Sequence, residues 1–169
     1  HWGPTDGPLI FCLHGILEHG ATWDAVADTL ANKGYHIVAP DLRGHGRSAH
    51  AGPDGGYQLM DFLGDMDALS QSLAEKAQPI ALVGHSMGAV LSAVLTSLRP
   101  ERFSHLMLVE PVVPAADRPR ETATQLTAHL DYLATPPEPV VIPSMEAAVR
   151  RIRALKPQLT ALAAEKLAE

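Results

Sequence analysis

Five residues, Gly84-His85-Ser86-Met87-Gly88, carry the clearest chemical signal in the sequence. They follow the apolar run Ile80-Ala81-Leu82-Val83 and precede Ala89-Val90-Leu91-Ser92-Ala93-Val94-Leu95, a pattern in which a strand turns sharply into a helix with Ser86 at the tip. Small residues two positions to either side let such a turn close, and its strained tip exposes a hydroxyl. The turn also brings the Met87 N–H to the N-terminus of the new helix, facing the place where a carbonyl oxygen becomes negative during attack. The stretch thus proposes a nucleophile and half of an oxyanion hole. A serine in a plain glycine turn would lack the flanking strand and helix that accompany this one.

A hydroxyl nucleophile works only with partners that a fold brings to it. The pattern places His14-Gly15-Ile16-Leu17 directly after a strand at Leu9 to Leu13. Asp41 follows a short strand at His36 to Ala39, in a polar loop that begins at Pro40 and extends to about Gly56. Glu110 follows a strand at Phe103 to Val109. Between them, Thr22 is suited to cap a helix through Trp23, Val26 and Leu30 that Gly34 ends. A second helix near Gln58 to Ala74 sets Leu59, Phe62, Met66, Leu69 and Leu73 on one stripe. Strands alternating with helices predict an α/β fold with a parallel sheet, whose functional groups gather at the carboxyl ends of the strands. His14, Asp41, Ser86 and Glu110 all fall there.

From Pro111 onward the character changes. Ala115 to Leu133 reads as polar-rich helix, Thr135 to Pro143 holds four prolines, and Ser144 to Glu169 is an Ala/Leu-rich helical stretch with Pro157 opening its last part. The expected organisation is a core over residues 1–111 and a helical cap over 112–169.

Composition narrows the function classes. Lys and Arg total 13 against 19 Asp and Glu in 169 residues, so no nucleic-acid partner is expected. Arg150, Arg151, Arg153 and Lys156, on a helix with Glu146, read as a solvated face. Cys12, the one cysteine, lies in the apolar run Leu9 to Leu13 and reads as a small buried hydrophobe. A reducing, cytoplasmic setting is expected, with no membrane span and no metal or other cofactor.

Taken together, these residues resemble the α/β-hydrolase family. The likeness rests on His14-Gly15 after a strand, Asp41-Leu42-Arg43-Gly44-His45-Gly46-Arg47-Ser48, the elbow at Ser86 and an acid after the next strand, and it runs through essentially the whole chain. It implies Ser86 as nucleophile, with the backbone amides of Ile16 and Met87 as the oxyanion hole. Leu13-His14-Gly15-Ile16-Leu17-Glu18-His19-Gly20-Ala21-Thr22-Trp23 and His129-Leu130-Asp131-Tyr132-Leu133-Ala134-Thr135-Pro136-Pro137 further resemble chain-terminating thioesterases of the curacin type in modular polyketide synthases. Those enzymes use a Ser/His/Glu triad to cleave an acyl chain from its carrier-protein thioester. A β-sulfated acid then loses sulfate and carbon dioxide to leave a terminal alkene. Glu110, 24 residues after Ser86, matches the position of their acid. The resemblance therefore implies an acyl thioester or ester substrate and an acyl carrier protein as partner; a stand-alone carboxylic ester hydrolase or lipase is the alternative.

A serine hydroxyl needs a base. In the family that histidine follows the last strand, which this chain does not reach. Of the nine histidines, His14, His45 and His85 belong to loop-supporting motifs and His36 and His105 to strands, while His1 is terminal and His50 lies in a polar loop. His19 and His129 remain as candidates to substitute. A catalytically incomplete fragment, with exposed sheet edges and some uncovered apolar surface, is the third reading.

Overall fold

The structure, a computed structural model, describes residues 1–53, 55–75, 79–112, 119–135 and 140–168. Four parallel strands form one sheet: β1 (Leu9–Leu13), β2 (His36–Val38), β3 (Ile80–His85) and β4 (Phe103–Val109), in the order β2-β1-β3-β4. Phe11 pairs with Val38 on one side and Leu82 on the other, and Gly84 pairs with Leu108. All five residues of β1 are buried, because helices cover both of its faces. Leu9, Phe11 and Leu13 pack with Phe62, Met66, Leu82, Leu91 and Leu95 in one core, whereas Ile10 and Cys12 join Ala27 and Ile37 in the other. Burial pushes the Cys12 thiol up to about 12, so it stays protonated among apolar neighbours.

Six α-helices accompany the sheet among the described residues: α1 (Asp24–Ala31), α2 (Leu59–Ala74), α3 (Met87–Leu98), α4 (Pro119–Ala134), α5 (Met145–Leu155) and α6 (Ala161–Ala168). Helix α2 begins where its pattern predicts. The Gln58 and Asp61 side chains form a reciprocal capping box, with Asp61 Oδ2 accepting from the Gln58 N–H at 2.8 Å. Helix α1 begins differently from the expectation. Thr22 does not cap it; a 3-10 turn over Gly20–Trp23 precedes it. Asp41 accepts the Gly20 N–H at 2.6 Å, and this bond starts the coil four residues early. Gly34, at φ 86, does end α1, donating to Ala31 O at 2.9 Å.

The C-terminal stretch also departs from the pattern. Ser144 caps α5, accepting from the Ala147 N–H at 3.2 Å. Pro157 does not open a helix: the residue before it is driven out of helical geometry, so α5 stops at Leu155. Helix α6 starts only at Ala161, where Thr160 Oγ1 accepts the Ala163 N–H at 3.2 Å. Lys166 pairs with Asp24, which fastens α6 to α1. Ala115 to Arg118 and the prolines at 136, 137 and 139 lie outside the described residues. The outer strand β4 exposes Leu106, Met107 and Leu108, and the edge at β2 meets Trp2 through an antiparallel bridge to Ile37. No described helix is long and apolar enough to cross a membrane.

Candidate active site

The sheet order puts β3 between β1 and β4, so the residues leaving all three carboxyl ends converge. Ser86 stands at φ 52 and ψ −116 between β3 and α3, a backbone conformation that costs a non-glycine residue energy and persists only where its surroundings enforce it. Packing enforces it here. A Cβ on Gly84 would lie 2.3 Å from Gly88 O, and one on Gly88 would lie 2.3 Å from Leu13 O. The two glycines therefore let α3 press against the end of β1, which leaves the elbow no room to relax. The Ser86 N–H donates to Val109 O at 2.9 Å, tying the elbow to the end of β4.

On the other side, Gly15 begins a turn that returns to itself. The Glu18 N–H donates to Gly15 O at 3.3 Å, and Glu18 Oε2 accepts the Gly15 N–H at 3.1 Å. Between them Leu17 is left-handed at φ 60. A Cβ on Gly15 would lie 3.1 Å from Ser86 Cβ, so the turn lies against the elbow. Among the described residues, no turn or cap hydrogen bond uses the N–H of Ile16 or Met87.

The histidines of the loop motifs act as supports, as the sequence suggests. His14 is fully buried. Its Nδ1 lies 2.8 Å from Gly15 O and its Nε2 lies 2.9 Å from the Leu42 N–H. Nδ1 therefore donates and Nε2 accepts, which is the neutral ring; burial holds its pKa below the usual histidine value despite the Gly15 bond. Asp41 accepts from Gly20 at 2.6 Å and from the Arg47 N–H at 2.8 Å. Burial opposes its charge, yet these two N–H bonds hold its carboxyl below the ordinary range. His45 Nδ1 lies 3.0 Å from Arg43 O, within the same loop.

Glu110 leaves β4 with its own left-handed backbone, φ 48, one residue after the carbonyl that holds the Ser86 N–H. It is exposed, and its carboxylate makes no hydrogen bond or ion pair with another described residue. Of the two histidines weighed as a substitute base, only the His19 side chain is among the described residues, and it does not line the cavity over Ser86. His19 borders a separate cavity of about 240 Å³ with Trp2, Asp41 and Arg47, where its Nε2 is buried without a hydrogen bond. The His129 side chain lies outside the described residues. Among those residues no cluster of three His, Cys, Asp or Glu is arranged to hold a metal.

A cavity of about 640 Å³ opens over Ser86. Its floor is Gly15 to Glu18, His85 and Ser86, and its roof is mainly apolar, with Val140, Ile142, Ile152, Leu155 and Leu167. A larger cavity, about 760 Å³, lies beside Leu9, Ile10, Ala81 and His105 at the opposite, amino ends of the strands, where neither the elbow nor the turn can act. The roof corrects one expectation. Arg150 and Arg153 are exposed as a solvated face requires, but Arg151 borders the cavity and Lys156 turns inward, its Nζ 3.0 Å from Glu18 Oε1.

Glu18 is the residue that the sequence reading passes over. It is 6% exposed, yet burial is outweighed by bonds from Lys156, His85 and the Gly15 N–H, which keep its pKa below the usual glutamate value. His85 Nδ1 lies 2.9 Å from Oε2, and since an ionised carboxylate only accepts, that nitrogen carries the proton. An acid between two histidines in an otherwise apolar, glycine-bearing loop is the available sequence signal.

A parallel sheet whose inner strand turns sharply through Ser86 into a helix, with a glycine-bearing turn beside it, has the architecture of an α/β hydrolase. The alpha/beta hydrolase fold family matches residues 8–161, and the chain belongs to that family. Among solved structures, the thioesterase domain from the curacin biosynthetic pathway superposes with a TM-score of 0.85 at 42% identity, over 99% of this chain and 60% of that one. Lipase LipV of Mycobacterium tuberculosis is 34% identical over 134 residues, 78% of this chain and 48% of the lipase. Monoglyceride lipase of Mus musculus is 33% identical over 135 residues, 77% of this chain and 44% of its own. The chain thus spans about half the length of these lipases.

Proposed function

We propose that the protein containing this chain cleaves acyl thioesters by covalent catalysis at Ser86, within a core over residues 1–111 that residues 112–169 cap. Ser86 Oγ attacks the carbonyl carbon and gives its proton to a histidine supplied from outside this chain. The amides of Ile16 and Met87 donate hydrogen bonds to the developing oxyanion, and Glu110 orients the histidine and stabilises its cation. Collapse expels the carrier thiol, which takes the proton back; water then releases the acid and frees Ser86. One observation carries this reading: Ser86 is held at φ 52 at the end of β3, against Gly15 of the neighbouring turn.

The substrate class rests on the likeness to the curacin thioesterase domain, which extends over 99% of this chain, the C-terminal helices included. It supports an acyl chain presented by a carrier protein. In the decarboxylating form of the reaction, the carbon–carbon bond to the released carboxylate supplies the electrons of the new alkene as a β-sulfate departs. The likeness to LipV and to monoglyceride lipase favours a second reading, hydrolysis of free esters by the same groups.

The test begins with a fluorophosphonate and the mass of the intact protein, applied to this chain and to a longer polypeptide containing it. An adduct on the longer form that Ser86→Ala removes is the expected result; no adduct on either form overturns the nucleophile. An adduct on the longer form alone matches a chain that keeps the fold but lacks its base. Turnover of an acyl-carrier thioester well above that of short free esters supports the thioesterase, and turnover of simple esters with no reaction on the carrier thioester supports the lipase reading.

A further inference from the structure

We infer that Glu18 is a positioning residue through which closure of the cap, by way of Lys156, fixes the turn that presents the Ile16 amide. The inference rests on the reading of Ser86 as nucleophile and of Ile16 as an oxyanion donor. Three parts of the chain meet on this one carboxylate. Oε2 takes the Gly15 N–H of the turn at 3.1 Å and Nδ1 of His85, the residue before Ser86, at 2.9 Å. Oε1 takes Nζ of Lys156, at the end of α5, at 3.0 Å. The Glu18 side chain is 5% exposed, whereas that of Lys156 is 44% exposed. The hub belongs to the core, and the lysine is the arm that reaches down to it.

A carboxylate this deeply buried is costly to leave partly unpaired. With the cap closed, both oxygens are met. When α5 lifts, Oε1 loses its cation, and the carboxylate gains by rotating toward the water that enters the cavity. That rotation pulls Oε2 away from the Gly15 N–H and from His85 together. The clamped turn holds Leu17 at φ 60, a strained geometry that relaxes once the side-chain bond is gone, and Ile16 moves with it. A misplacement near 1 Å at a reacting centre costs about 100-fold in rate. The oxyanion donors would therefore be aligned only under a closed cap, when the acyl chain is enclosed.

The variants separate the arms. Glu18→Gln keeps a carbonyl oxygen for Gly15 and His85 but turns an amide N–H toward Lys156, so it cuts the cap arm alone, as Lys156→Met does from the other side. Lys156→Arg keeps the charge. The first measurement is amide hydrogen exchange over residues 15–18 of this chain, which needs no turnover. Exchange about tenfold faster in Glu18→Gln and Lys156→Met, and near wild type in Lys156→Arg, is expected; wild-type exchange in Lys156→Met overturns the inference. Lys156 is half-exposed, so its variant keeps the fold even if Glu18→Gln does not.

The second measurement is acyl ester hydrolysis by the polypeptide length that turns over substrate. We expect kcat about tenfold lower with KM little changed, and a double variant no worse than either single one. Additive losses, or a loss confined to KM, count against the link. Should Ser86→Ala retain hydrolysis, the nucleophile reading fails, while the exchange measurement still decides whether Glu18 joins cap to turn.

Discussion

Strands β3 and β4 leave the sheet side by side, and each ends in a left-handed non-glycine residue, Ser86 at φ 52 and Glu110 at φ 48. Their surroundings differ sharply. Ser86 is wedged by Gly84 and Gly88 against α3 and β1, and β3 alternates buried and half-buried residues along its length. Glu110 is exposed at the end of a strand whose Met107 is 60% exposed, and one hydrogen bond, Ser86 N–H to Val109 O, joins the two turns. A positive φ is therefore wedged by glycine packing at Ser86, and no comparable wedge stands at Glu110 among the described residues. An exposed acid held at a positive φ is compatible with the role proposed for Glu110. The contrast makes Ser86 inseparable from the fold and Glu110 separable from it.

The largest test removes the wedge. In Gly88→Ala the new methyl would meet Leu13 O at 2.3 Å and His14 O at 2.6 Å, and neither backbone atom can swing aside. A loss of about 3 kcal/mol or more is expected, the upper end of the cost of overpacking. It would be read from urea unfolding followed by circular dichroism. A wild-type midpoint would show that the elbow is not held in the way argued above.

The second test addresses the exposed end. Glu110→Gly relieves a left-handed cost of about 1 kcal/mol and adds backbone entropy to the unfolded chain of similar size, so stability should stay within about 1 kcal/mol. Hydrolysis by the active polypeptide should fall about 100-fold or more if Glu110 orients the base. Equal losses of stability and activity would instead make Glu110 a structural residue, and the two strand ends would no longer differ in kind.

This contrast also explains what could be read from the amino-acid order. All four strands, the elbow and the α2 start are written in local patterns: an apolar run before Gly84, an apolar stripe after Gln58. Each pattern can be recognised within a few residues, although what holds the strands and the elbow is distant in the chain, as Leu82 is for Phe11 and Leu13 for Gly88. The start of α1 is not local, since it depends on Asp41 capturing the Gly20 N–H from 21 residues away. Lys156 reads as one more cation on a basic helix until its partner, 138 residues distant, is known. Glu18 is legible as a motif member but not as a hub, because two of its three partners, His85 and Lys156, are non-local. Ser86 stands out as a candidate through its flanking pattern and Glu110 through the family resemblance; how differently the fold holds them is not written in either.

Acid should weaken the packed side of the comparison through His14 first and then through its depressed carboxylates, Glu18 and Asp41. His14 has a depressed pKa in the folded state, so the unfolded chain binds its proton first, and stability present above the ordinary value of 6.5 is lost as pH falls below it. Glu18 is likewise depressed, and its contribution declines as pH falls from the ordinary 4.5 toward the folded value. Urea midpoints measured from pH 7.5 to about 3.5 should decline in two stages. Glu18→Gln should make the lower stage shallower, Asp41 still contributing to it, and leave the upper one in place. A profile with no decline above pH 5 would exclude His14 as a buried neutral support.

The smallest effect gives the cleanest control on the wedge. Gly64 and Gly88 are both helical, one inside α2 and the other in the first turn of α3. A Cβ on Gly64 meets nothing within 4 Å, and the residue is exposed. Gly64→Ala should therefore stabilise the protein by about 0.5–1 kcal/mol, through the higher helix propensity of alanine and the reduced entropy of its unfolded chain. The added methyl is the same in both variants, so opposite signs in one unfolding assay would isolate the contact with Leu13 and His14 as the cause. If Gly64→Ala also destabilised, the loss in Gly88→Ala could reflect a general intolerance of helix substitution, and the wedge beneath Ser86 would lose its distinctive status.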